Sequence, residues 1–150
     1  MNADFDADRF SRILARDAPD AIICADAQGR IQFWNKSAER IFGFREPEAV
    51  GQTLDIIIPE NLRKRHWEGF MRTMQTGKTR YGAGDVLEVP ALRKDGTRIS
   101  VEFGMLPFHD ESGTMIGIAV TLRDVTQRFN EMKALRERLG VLPSRGSSWH

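Results

Sequence analysis

Residues 86–124 read VLEVPALRKDGTRISVEFGMLPFHDESGTMIGIAVTLRD: three β-branched, apolar-rich runs separated only by short turn signals. Asp95-Gly96 and Ser112-Gly113 are those signals, and an Asp-Gly pair supplies the backbone that a tight hairpin turn requires. Runs joined so closely pair antiparallel, because a parallel pair needs a crossover of a dozen residues or more. Pro90 cannot donate to a strand ladder, so its run belongs at a sheet edge or a bulge.

The first half adds two more strands and several short helices. AIICAD, the turn AQGR and IQFWN form a close pair, with Gly29 able to take the positive φ of the turn. Asn35 is an N-cap for KSAERIFG, and Gly43 is its stop. A helical turn runs from Pro47 to Gly51, and LDIIIPE leads into a helix over NLRKRHWEGFMRTM that Gly77 closes. On that helix His66 lies four residues from both Leu62 and Phe70, so the three share a face. The order helix, β, β, short helices, β, β, β, helix predicts an α+β domain with a five-stranded antiparallel sheet. A doubly wound sheet is excluded.

Two helices flank this unit. In FDADRFSRILARD, residues 5–17, Phe10, Ile13 and Leu14 recur at helical spacing, and Pro19 follows the end. In TQRFNEMKALRERLG, Val125, Met132 and Leu139 are seven apart, as are Leu135 and Leu142. That is a short coiled-coil seam, broken in its first turn by Arg128. It fits a dimer stem or signalling connector; a surface helix packed on its own sheet is the alternative. The predicted divisions are a cap helix over 1–18, a domain over 19–127, a signalling helix over 128–142 and a loose tail over 143–150.

Composition narrows the function. A net charge of +1, with acidic and basic residues interspersed, gives no electrostatic funnel for nucleic acid. No apolar run is long enough to span a membrane and the acidic N-terminus is unlike a signal peptide, so a soluble, cytoplasmic chain is expected. The single cysteine, Cys24, sits in the apolar run AIIC and reads as a small core residue. The common nucleotide-binding and hydrolytic motifs are absent, and YGAGD lacks the lysine and helix of a phosphate loop. Histidines 66, 109 and 150 lie in unrelated contexts. Asp26, Asp95 and Asp110 occupy turns, where such side chains cap their own backbone. Trp34 and Trp67 read as anchors of a core or interface. No enzyme is predicted.

PDAIICADAQGRIQFWNKSAERIFGF, EAVGQTLDIIIPE, ALRKDGTRISVEF and GIAVTLRDVTQR, taken in order, closely resemble the PAS sensory domain family over residues 17–127. The resemblance implies a curled five-stranded sheet whose short helices enclose a pocket for haem, flavin, a small organic ligand or nothing. It implies a sensor that relays its state through flanking helices. The light-sensing flavin branch of the family carries a reactive cysteine in the helices after the first two strands. Here those helices hold none and Cys24 is on the first strand, so a photochemical flavin adduct is not expected.

The haem-binding branch of the family bears on His66. There the iron-ligating histidine follows a stretch like PENLRKRH and opens the helix before the central strands, which is the place of His66. Basic side chains further along meet the propionates, at the positions of Arg72 and Arg80. The distal wall would be Val86, Leu87, Phe103 and Met105, without the charged donor that oxygen sensors carry there; Gly84 stands where a distal methionine occurs in the branch. Neutral imidazole is a good iron ligand and guanidinium pairs well with propionate. The resemblance thus implies haem b on His66, a sensing role, a homodimer and a downstream signalling protein. A histidine serving core or interface, a contact to another small ligand, and a ligand-free interaction module stay open beside it.

Overall fold

A computed structural model of the chain describes residues 5–79 and 84–140. It contains five strands, β1 (Ala21–Asp26), β2 (Ile31–Trp34), β3 (Leu87–Leu92), β4 (Arg98–His109) and β5 (Met115–Asp124). They form one sheet in the order β2-β1-β5-β4-β3, with every neighbour antiparallel. The helices are α1 (Ala7–Asp17), α2 (Lys36–Phe42), α3 (Glu46–Ala49), α4 (Arg63–Thr76) and α5 (Thr126–Leu139), with 3-10 turns at Leu54–Ile57 and Glu60–Leu62. The α+β architecture read from the hairpin signals is therefore present. Sequence pattern had not placed β1 beside β5, which joins the two halves through the middle of the sheet.

The turns form for local reasons. Asp95 Oδ1 accepts from the Thr97 N–H at 2.9 Å, and Gly96 takes the left-handed φ of 86° that the turn requires. Asp26 and Asp110 cap their turns in the same way. Pro90 lies on β3, an edge strand, where its missing N–H leaves no central ladder broken.

Asn35 does more than cap α2. Its Oδ1 accepts from Ala38 N–H at 3.0 Å and from Ile22 N–H at 2.9 Å. Its Nδ2 donates to the carbonyls of Ala15 and Asp20. One buried amide thereby fixes the end of α1, the start of β1 and the start of α2, with all its main bonding capacity used.

The core has two parts. The larger joins Trp34, Ile31, Phe42 and Ile23 to Val101 and Leu122, under α2 and the 3-10 turn. Burying each such large side chain contributes roughly 1.5–3 kcal/mol. The smaller part lies under α4, where Phe70 meets Met115 and Ile118, with Trp67, Met74 and Met105 around them. Leu54 and Val120 touch both.

Candidate functional site

Helix α4 positions His66. The helix has no side-chain N-cap and is tied down at its start by two other residues. Arg63 donates to the carbonyls of Ile58 and Asp55, and Trp67 Nε1 donates to Asp55 Oδ1 at 2.7 Å. The Trp67 ring lies against Gly29, where an added Cβ would come within 2.2 Å of the indole. Gly29 therefore serves twice: its φ of 79° makes the β1–β2 turn and its missing side chain admits Trp67.

His66 is half-buried between aromatic rings. Its ring centroid lies 4.8 Å from that of Trp67, nearly perpendicular, and 6.0 Å from that of Phe70. Nδ1 is enclosed and has no hydrogen-bond partner among the described residues. Burial holds the imidazole pKa below the ordinary 6.5, and the Asp55 carboxylate offsets this in part. The ring is therefore neutral at pH 7. An enclosed, unpaired ring nitrogen costs about 1–3 kcal/mol in folding free energy. A ligand able to use it recovers that cost.

The other residues named from sequence are dispersed unevenly. Met105 packs into the cluster that holds Trp67 and Phe70, the two rings beside His66. Phe103 packs on the larger core and pairs in register with Leu87 at the start of β3. Arg72 lies exposed on α4, and Val86 is 56% exposed just before β3. Arg80 falls outside the described residues, as do Leu142 of the seam and His150. Sequence reasoning missed Asp55 as the partner of Trp67, and Gly29 as its seat; each was visible only as a turn or loop residue.

Other chemistry is not assembled nearby. Among the described residues no three His, Cys, Asp or Glu side chains gather as a metal cluster. Cys24 is half-buried, and burial pushes its thiol pKa up, away from nucleophilic reactivity. None of the described helices is long and apolar enough to cross a membrane.

Comparison with known proteins gives the family. The PAS domain profile matches residues 19–127. The chain is 31% identical over 126 residues to the sensor protein FixL of Bradyrhizobium diazoefficiens, covering 84% of this chain and 24% of that protein. It is 32% identical over 75 residues to the oxygen sensor protein DosP of Escherichia coli, covering 50% of this chain and 9% of that one. The chain thus spans a quarter or less of the length of these curated relatives. Among solved structures, the PAS domain of a Colwellia psychrerythraea protein aligns with a TM-score of 0.70 at 24% identity, covering 81% of this chain and 99% of that one. With its five-stranded antiparallel sheet, its short helices and this profile match, the chain belongs to the PAS domain family, whose members are sensory and regulatory modules rather than catalysts.

Proposed function

We propose that this domain binds haem b through His66 and passes the state of its interior to a downstream signalling protein through a homodimer and α5. The observation that carries the reading is the enclosed Nδ1 of His66, a neutral imidazole nitrogen with no hydrogen-bond partner among the described residues, on the helix where the haem-binding branch has its ligand. The residues fit the group chemically. His66 would hold the iron, Arg72 and Arg80 the propionates, and Leu87, Phe103 and Met105 an apolar distal wall that Val86 borders. If bound there, haem would supply an iron that can take up a diatomic gas or change redox state. The named distal residues carry no charged donor. That would suit an apolar gas such as CO, or Met105 as a further ligand to the iron.

The space beneath α4 is filled by Phe70, Met74, Met105 and Met115. Entry of a large planar ligand therefore requires α4 to move away from β4 and β5. Methionine, with three flexible torsions, repacks at low cost. The same filling favours a second reading, a ligand-free dimerisation module.

The dimer is supported by uncovered apolar side chains. Helix α1 has no buried residue and exposes Phe10, Ile13 and Leu14, and α5 exposes Met132, Leu135 and Leu139. A short helix whose apolar side chains stay uncovered is marginal in water, so a second copy, in the cytoplasm, is the expected cover.

Absorption spectroscopy tests the ligand. Protein titrated with haem should develop a Soret band that His66→Ala loses. A protein that takes up no haem, or a variant with an unchanged spectrum, overturns the haem assignment. A colourless dimer would then support the ligand-free module.

A further inference from the structure

Arg128 breaks the apolar seam of α5, and its contacts explain why it is there. Its Nη2 lies 2.7 Å from Glu88 Oε1 and 2.5 Å from Glu102 Oε2. Glu88 is on β3, Glu102 is on β4, and the two are direct partners in the strand register. Like charges placed opposite one another repel and weaken a strand pair. The guanidinium that joins them comes from neither strand but from the helix that leaves the domain. An isolated exposed ion pair contributes little to stability. Here one cation offsets the repulsion of two carboxylates and fixes a helix at the same time.

The start of α5 is attached as a hinge. Val125 N–H donates to the Ser100 carbonyl, and Thr126 Oγ1 accepts from Ser100 N–H, so both bonds meet one residue of β4. No residue of α5 is fully buried. A helix hinged at Ser100 needs a second fixed point to have a direction, and Arg128 supplies it.

The register shows what that point can report. The pair next to Glu88–Glu102 is Leu87–Phe103. Successive residues of a strand point to opposite faces. Phe103 packs into the core, and the acidic pair beside it holds α5 on the other face. A change in packing at Leu87 and Phe103 displaces the same backbone that carries the two carboxylates. We infer that Glu88, Glu102 and Arg128 form a latch that couples the interior wall at Leu87–Phe103 to the direction of α5. This rests on the relay reading above but on no particular ligand.

A double-mutant cycle read by NMR on the whole chain tests the latch. Phe103→Leu alters the interior, and amide shifts of residues 130–139 report α5. In the wild-type background these amides should move. In Arg128→Gln, and equally in Glu88→Gln with Glu102→Gln, the movement should fall by about half or more. Arg128→Lys, which keeps charge but loses the fork, should give an intermediate result. Circular dichroism checks folding, and Leu87→Val replaces Phe103→Leu if that variant unfolds. Undiminished movement of α5 in Arg128→Gln overturns the latch, as does an α5 that ignores the interior substitution in every background. No cofactor is needed. Failure of the haem titration with an intact cycle removes haem and leaves the latch, and the reverse outcome removes only the latch.

Discussion

Helices α2 and α4 cover the same sheet and are held in opposite ways. Of the seven residues of α2, Ser37, Ala38, Ile41 and Phe42 are buried, Asn35 caps its start and Gly43 closes it in the left-handed conformation. Of the fourteen residues of α4, Phe70 alone is fully buried, and no side chain caps the start. The first helix is framework, because backbone ends and apolar face are both satisfied. The second is a wall attached through Trp67, Arg63 and Phe70, and it carries the one enclosed side-chain polar atom without a partner among the described residues. A sensor needs both: a part that does not yield, and a part whose displacement is affordable in free energy.

The largest expected effect separates the two helices directly. Phe42→Ala should cost about 3–5 kcal/mol and lower the stability of the whole domain, measured by denaturant melts. Phe70→Ala should cost less, about 2–3 kcal/mol, because α4 can settle onto the flexible methionines beneath it. Equal losses would make α4 as much framework as α2.

A pH experiment sharpens the contrast at His66. Its folded pKa lies below 6.5 because burial disfavours the charged ring. Below the unfolded value the unfolded chain binds a proton that the folded chain refuses, so stability falls as pH drops from about 6.5 through the folded pKa. The slope from this one group is at most about 1.4 kcal/mol per pH unit. Melts compared above and below pH 6.5 should show a loss in the wild type that His66→Gln reduces.

The smallest effect concerns Gly69, in the interior of α4. An added Cβ there meets nothing within 4 Å. Gly69→Ala should therefore stabilise the domain by roughly 0.5–1 kcal/mol, through helix propensity alone. A destabilised variant would show that α4 uses a conformation or close approach other than the one described.

What was legible in sequence was local. The turns of Gly29 and Gly96 and the cap that Asn35 places on α2 act within a few residues of their own position, so turn and cap chemistry located the strands and α2. The place of His66 followed from family resemblance, and helix periodicity put it on the face it shares with Phe70. The remainder depended on pairings across the fold. Arg128 reads as a flaw in a heptad because its partners Glu88 and Glu102 are 40 and 26 residues away. Trp67 reads as a generic anchor because Gly29 and Asp55 meet it only after folding. Val86, grouped with the distal wall by resemblance, stands largely in solvent where the chain enters β3.

Amide hydrogen exchange, followed with and without haem, tests the central division most directly. Amides of α2 should exchange only through global unfolding, and those of α4 through a smaller opening at lower free energy. Haem should slow exchange in α4 and leave α2 unchanged relative to global stability. Equal protection in the two helices, or an α4 that haem does not affect, would contradict the account.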